Sequence, residues 1–229
     1  MSAETVGQAV EQVTAAPKMI SPDTFAQVLP QHLGAEKFTR WALTLLRRPE
    51  LAQVATTDAG RLSIMSALMD CASLGLEPGR TYHLVPFGGR EKDGTPKPQT
   101  VTGMTDYKGE VELIWRAVQR PVIAQLVRAE DKFTPCGANV PPFHEADYWG
   151  KRGRIVGGYA YVDYGSDLYS QVIYMPESSD EPDVDSFLKH RAVSKKQDLW
   201  DKYPEPFRLK TLVHQLRKWV PWSAEVRQP

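Results

Sequence analysis

Residues 105–133 read TDYKGEVELIWRAVQRPVIAQLVRAEDKF, and the hydrophobic period changes in the middle of them. Val111, Ile114, Trp115 and Val118 recur at helical spacing, so the first half predicts an amphipathic helix that ends at Pro121. The second half, PVIAQLVRAEDKF, predicts one strand. Upstream, TYHLVPF (81–87) and QTVTGM (99–104) read as two strands joined by a polar loop with Asp93-Gly94 and two prolines, a hairpin. Downstream, IVGGYAYVDYGSDLYSQVIYM (155–175) reads as a hairpin turning at Tyr164-Gly165-Ser166-Asp167. PCGANVPPFHEADYWGKRGR (135–154) reads mostly as loop.

Further outward the period is helical on both sides. In GAEKFTRWALTLLRR (34–48), Phe38, Trp41, Ala42, Leu45 and Leu46 form one stripe, which Pro49 ends. RLSIMSALMDCASLGL (61–76) is apolar on most sides and is expected to be buried, with Gly75 and Glu77-Pro78-Gly79 as stop signals. A helix is expected near 183–195 and a last one near 205–220. In the last one, Leu209, Leu212, Val213, Leu216 and Val220 face one way and Lys210, His214 and Arg217 another, flanked by Arg208 and Lys218. Helices and strand runs alternate irregularly, which predicts an α+β fold. It would have an antiparallel β-sheet (hairpin–helix–strand–hairpin), a helical N-terminal lobe and C-terminal helices. The expected division is a disordered tail over 1–20, a helical lobe over 21–80 offering subunit contacts, a sheet-and-helix core over 81–221 and a short tail over 222–229.

The chain has 229 residues, enough for a sizeable core, and 28 basic residues balance 28 acidic ones. A polyanion partner would therefore need the cations gathered on one face. Charge is indeed segregated: Glu177 to Asp185 holds five acids and no base, and Ser186 to Pro229 holds ten Lys/Arg against four Asp/Glu. The acidic stretch is a second candidate for subunit contacts. Cys71 and Cys136 are too far apart in sequence to suggest a disulfide framework, and the five histidines show no zinc spacing. No metal or other cofactor is expected. The start, MSAETVGQAV, lacks a basic head and an apolar core, so no signal peptide is expected. No apolar run approaches the ~20 residues of a membrane span, and a cytoplasmic setting follows.

Motifs that would name a reaction are missing: no GxxxxGK[ST], GxSxG or HExxH occurs. Glu130-Asp131-Lys132 has the carboxylate-x-lysine spacing of some metal-dependent nucleases, without an upstream partner. Tyr107-Lys108-Gly109 opens a helix, where unpaired N–H groups and the helix dipole favour an anion such as phosphate. Gly109 admits close approach of a ligand or of another backbone. The structural alternative has Asp106 as N-cap, Lys108 paired with Glu112 and Tyr107 in the core. Gly150-Lys151-Arg152-Gly153-Arg154, following Tyr148-Trp149, puts cations beside aromatics on a glycine-rich loop, which suits single-stranded nucleic acid.

In this order the pieces resemble the RecT family of phage and prophage single-strand annealing proteins. LGLEPG (74–79) is similar to the turn after the family's buried helix, and HLVPFGG (83–89) to its first hairpin strand. YKGEVELIWR (107–116) resembles its Tyr-Arg-Gly helix start, with Lys108 in place of arginine. VRAEDKF (127–133) and GYAYVDY (158–164) resemble family strands. LWDKYPEPFRLKTLVHQLRKWVP (199–221) resembles the closing segment, where Lys210-Thr211 match a Lys-Thr pair and Arg208-Leu209 depart from the pattern.

The resemblance implies an ATP-independent recombinase that binds single-stranded DNA, oligomerises on it as rings or helical filaments and anneals complementary strands in phage homologous recombination. Implied partners are single-stranded DNA and the annealed duplex intermediate, a 5′–3′ exonuclease and a host single-stranded DNA-binding protein, in the cytoplasm of a bacterial host. With the residues above, the candidate DNA contacts are Tyr107, Lys108, Gly109, Arg116, Arg128, Lys132, Arg152, Arg154, Lys195, Lys196, Lys210, Thr211 and Arg217. No residue is expected to be catalytic. Two other readings stay open: a metal-dependent nuclease using Glu130 and Asp131, and a non-enzymatic assembly protein whose basic face meets an acidic neighbour.

Overall fold

A computed structural model describes residues 19–90, 96–181, 183–194 and 197–222. The contacts divide the chain into two compact units, Met1–Gly109 and Glu110–Pro229.

The first unit opens with four helices: α1 (Pro22–Ala26), α2 (Ala35–Leu46), α3 (Pro49–Val54) and α4 (Asp58–Ser73). Ser21 caps α1 by accepting the Thr24 N–H at 3.3 Å, and the Phe25 and Phe38 rings meet edge to face at 4.8 Å, joining α1 to α2. The expected stripe of α2 is buried at Phe38, Ala42, Leu45 and Leu46. Pro49 ends α2 and also opens α3, since a proline in the first turn needs no hydrogen-bonded N–H. Helix α4 buries only one face, Ile64, Ala67, Leu68, Cys71 and Ala72, whereas Leu62 is exposed. After Leu62 its exposed positions, Ser66, Asp70 and Ser73, are polar, and Met65 and Met69 are half-buried. Gly75, at φ +62°, closes α4: the Leu76 N–H donates to the Cys71 carbonyl and the Gly75 N–H to that of Ala72.

Strands β1 (Tyr82–Arg90) and β2 (Pro96–Thr105) form the predicted hairpin, in register from Tyr82↔Thr105 to Phe87↔Thr100, with a bulge before Gly89. Ser63 of α4 accepts the Val101 N–H at 2.8 Å, and Tyr82, Leu84 and Val101 are buried. The hairpin therefore groups with the N-terminal helices.

Helix α5 (Tyr107–Val118) follows at once. Its buried positions are Glu110, Leu113 and Ile114, while Trp115 is 55% exposed. That corrects the predicted stripe, in which Trp115 was a core residue: the inward face runs through Glu110, Leu113 and Ile114, and Trp115 lies about 140° round the helix from Glu110. Gln119, at φ +52°, ends the helix before Pro121.

The second unit is built on β6 (Ile155–Gly165). Strand β3 (Val122–Arg128) runs antiparallel along one edge, Val122↔Val162 to Val127↔Gly157, and β8 (Ile173–Pro176) along the other, Gly157↔Pro176 to Ala160↔Ile173. The short β7 (Leu168–Tyr169) pairs with the far end of β6 through the predicted turn, where Ser166 and Asp167 have positive φ. One face of the sheet carries the core: Ile114, Ala160, Val162, Met175, Phe187, Trp200, Leu212 and Leu216. Those helical residues come from α5, α6 (Phe187–Val193), α7 (Gln197–Lys202) and α8 (Pro204–Leu216). Gly158 lets α8 come close, since a Cβ there would lie 2.8 Å from the Leu212 side chain. The other face is aromatic, with Tyr159 stacked between Phe133 and Tyr161.

Three local predictions are corrected. The strand expected over 121–133 breaks at a turn after Arg128 and resumes as β4 (Lys132–Thr134). The expected loop over 135–154 contains β5 (Phe143–Glu145), which pairs with β4 through Phe133↔His144. Arg208, read as flanking the basic face of the last helix, is buried: it forks onto Glu177, with Nε to Oε2 at 2.7 Å. Its guanidinium also lies over the Phe187 and Trp200 rings. Among the described residues no helix is long and apolar enough to cross a membrane. Of the predicted tail over 1–20, residues 1–18 lie outside the described residues, as do those after 222, while Ile20 is buried.

Candidate nucleic-acid interface

In the first unit the helix start is capped as the structural alternative had it. Asp106 Oδ1 accepts the Gly109 N–H at 2.8 Å. Gly109 is buried, and a Cβ there would lie 2.4 Å from the Thr81 carbonyl oxygen. The bare backbone at this position therefore serves a backbone approach within the fold. Tyr107 is half-buried. Lys108 is exposed, and it makes no ion pair among the described residues. The expected Lys108–Glu112 pair does not form, because Glu112 is taken by Arg116 four residues on.

In the second unit most of the candidate arginines already hold a carboxylate. Arg116 pairs with Glu112, and Arg128 pairs with Glu205 while donating to the Gly153 carbonyl at 2.9 Å. Arg217 donates to Glu110 at 2.8 Å and lies 4.5 Å from the centre of the Trp222 ring. Lys132 meets Glu145 at 2.7 Å, an exposed cross-strand pair of little energetic weight. Thr211 is buried, and its hydroxyl donates back to the Phe207 carbonyl at 2.8 Å. Lys210 and Arg154 are exposed and make no ion pair among the described residues. Lys195 and Lys196 lie outside the described residues. Lys210 stands on a cleft of about 240 Å³ that it shares with His190, Ser194, Trp200, Phe207, Thr211 and His214.

Glu110, opposite Arg217, is a buried carboxylate. His214 Nδ1 lies 3.2 Å from the same oxygen that Arg217 holds, while Oε2 is buried without a hydrogen bond. His214 and Arg217 are thus both turned to Glu110, so less of the last helix's basic face is free than the sequence implies.

A polar cluster that the sequence did not signal sits beside β3 and β6. The Asp131 carboxylate has no exposed surface. It accepts Arg152 Nε at 2.8 Å, Arg152 Nη2 at 2.7 Å and the Arg128 N–H at 2.8 Å, and His144 Nε2 donates to it at 3.0 Å. His144 Nδ1 in turn lies 3.1 Å from Tyr159 Oη and 3.2 Å from Gln125. Arg152 first, then His144, holds the Asp131 carboxyl well below the usual carboxylate range. Burial pushes the Tyr159 hydroxyl up to about 12. Two sequence readings meet this geometry. Both Asp131 oxygens are committed inside the protein, so Asp131 has none to offer a metal ion. Arg152 is likewise an anchor, with its guanidinium forked onto Asp131. Asp131, His144 and Arg152 lie 13 and 21 residues apart in no motif, so spacing carried no signal.

The arrangement offers solvent-facing lysines in both units and a rigid, internally paired arginine set. Compared with known proteins, the chain is 36% identical over 118 residues to Protein RecT of Escherichia coli (strain K12), a match covering 49% of this chain and 41% of that protein. The chain thus spans less than half the length of that curated relative. The model of the RecT family matches from residue 36 to residue 228, which takes in both units, and the chain belongs to the RecT family.

Proposed function

We propose that this chain is a DNA recombination protein that binds single-stranded DNA and anneals complementary strands. The observation that carries this reading is the family match across residues 36–228. The finer reading is of a protein that acts without ATP, assembles on DNA as a ring or helical filament, and follows a 5′–3′ exonuclease in phage recombination inside a bacterial cell. Access to a host single-stranded DNA-binding protein completes the scheme. The missing P-loop supports the ATP-independent part.

The mechanism asks for sugar–phosphate contacts that leave base edges free, because phosphate contacts position a strand without reading it. Lys108 and Lys210 suit that role, since both are exposed and neither is tied to a carboxylate. Arg116, Arg128 and Arg217 keep spare N–H groups for phosphate while a carboxylate holds them in place. The helices of residues 21–80 and the acids of 177–185 serve as subunit contacts; of those acids, Glu177 and Asp185 are already engaged by Arg208 and His190.

Binding is expected to fall steeply with salt and to depend little on sequence. Each neutralised phosphate contributes about −0.7 to the log–log slope on single strands. Anisotropy titrations of a labelled oligonucleotide at several salt concentrations check this. A flat slope, or a strong preference for one sequence, contradicts a backbone-holding surface.

A further inference from the structure

Trp149 is fully exposed, yet the loop that carries it is tightly built. Asp147 Oδ1 accepts the Trp149 N–H at 2.9 Å, and a Cβ on Gly150 would lie 2.3 Å from the other Asp147 oxygen, so glycine permits the turn. Gly153, at φ +72°, returns the chain, and the Arg152 and Arg154 carbonyls accept the N–H groups of Glu130 and Ala129 at 3.1 and 2.9 Å. Arg152 fixes the base of the loop: it forks onto buried Asp131, and its guanidinium lies 4.7 Å from the centre of the Tyr148 ring. A backbone pinned in this way has already met its share of the ordering cost of binding. Lys151 and Arg154, on either side of the anchor, are exposed and make no ion pair among the described residues. The carboxylates nearby are Asp147, turned back on the Trp149 amide, Glu130 on the adjoining turn, buried Asp131, and Glu205, which Arg128 holds while donating to the Gly153 carbonyl.

We propose that Trp149 is a stacking platform for an unpaired base of single-stranded DNA, with Lys151 and Arg154 on the flanking phosphates and Arg152 as the anchor of the loop. This rests on the single-strand binding proposed above. Free cations beside a bare ring favour a nucleic acid over an apolar protein patch. Stacking uses the π-face of a base and is indifferent to its identity. The hydrogen-bonding edge therefore stays open to a complementary strand, which annealing requires.

The test compares an oligothymidylate with an abasic oligonucleotide of equal length, for the wild type, Trp149→Ala and Trp149→Phe. The wild type should bind the base-bearing strand at least about fivefold more tightly than the abasic one. Trp149→Ala should lose most of that preference while its affinity for the abasic strand and its Tm stay unchanged, and Trp149→Phe should restore much of it. An alanine variant that keeps the full preference, or that weakens equally on both strands, overturns the proposal. So does one that changes the sedimentation of the DNA-free protein with the preference intact, which would make the loop a subunit contact. If the wild type binds neither strand, single-strand binding itself fails; if it binds both equally, only the stacking platform fails.

Discussion

Asp131→Ala is expected to lower the stability of the chain by about 3–5 kcal/mol, the usual effect of removing one partner of a buried ion pair. The carboxylate has no exposed surface and holds Arg152, His144 and the Arg128 amide at once. Its loss leaves a guanidinium and an imidazole without their acceptor inside the sheet edge. Thermal unfolding should register a fall in Tm on the order of 10 °C. Because the two groups share one interaction, replacing Asp131 and Arg152 together should destabilise by less than the sum of the single changes.

The pH dependence gives a second check on the same group. Its folded pKa is depressed, chiefly by Arg152, so its contribution is fully present above the unfolded value of about 3.9 and is lost as pH falls below it. The stability gap between wild type and variant should therefore narrow progressively below about pH 4. A variant as stable as the wild type at neutral pH, or a gap that widens in acid, would show that the cluster does not hold this region together.

Lys108→Ala and Lys210→Ala are expected to leave the fold intact and to weaken DNA binding. Both side chains are exposed, neither holds a carboxylate, and exposed substitutions usually change stability by no more than ~0.5 kcal/mol. Each lysine that meets a phosphate should contribute roughly fivefold in affinity. The double variant should lose the product of the two, and its salt slope should flatten by about one contact's share for each lysine. The loss should be equal on all sequences. Unchanged affinity in both single variants would remove these two positions from the interface and leave the family membership standing.

The particular residues show where sequence was informative. The stripe of Phe38, Ala42, Leu45 and Leu46, the helix stop at Gly75 and the turn at Ser166-Asp167 were legible, because period and positive φ are local properties. The antiparallel return from β6 to β7 and β8 followed from the same signals, whereas the pairing of β3 with β6 joins segments that no local signal links. The β4–β5 ribbon was not legible, since strands of three residues carry no period. Trp115 was misplaced because an apolar residue at helical spacing looks inward, and only the structure reveals that the inward face runs through Glu110, Leu113 and Ile114. Charge was the least legible property. A sequence shows that Arg116, Arg152 and Arg217 are cationic, but not that Glu112, Asp131 and Glu110 already hold them. Lys108 and Lys210 emerge as the clearer candidates because they lack such partners.

The central claim is that this chain brings complementary single strands together with no nucleotide as fuel. Its most direct test is a fluorescence annealing assay with two complementary oligonucleotides labelled as donor and acceptor, in the absence of any nucleoside triphosphate. The protein is expected to speed duplex formation above the spontaneous rate, and added ATP to change nothing. Annealing no faster than without protein, or annealing only when ATP is supplied, would contradict it.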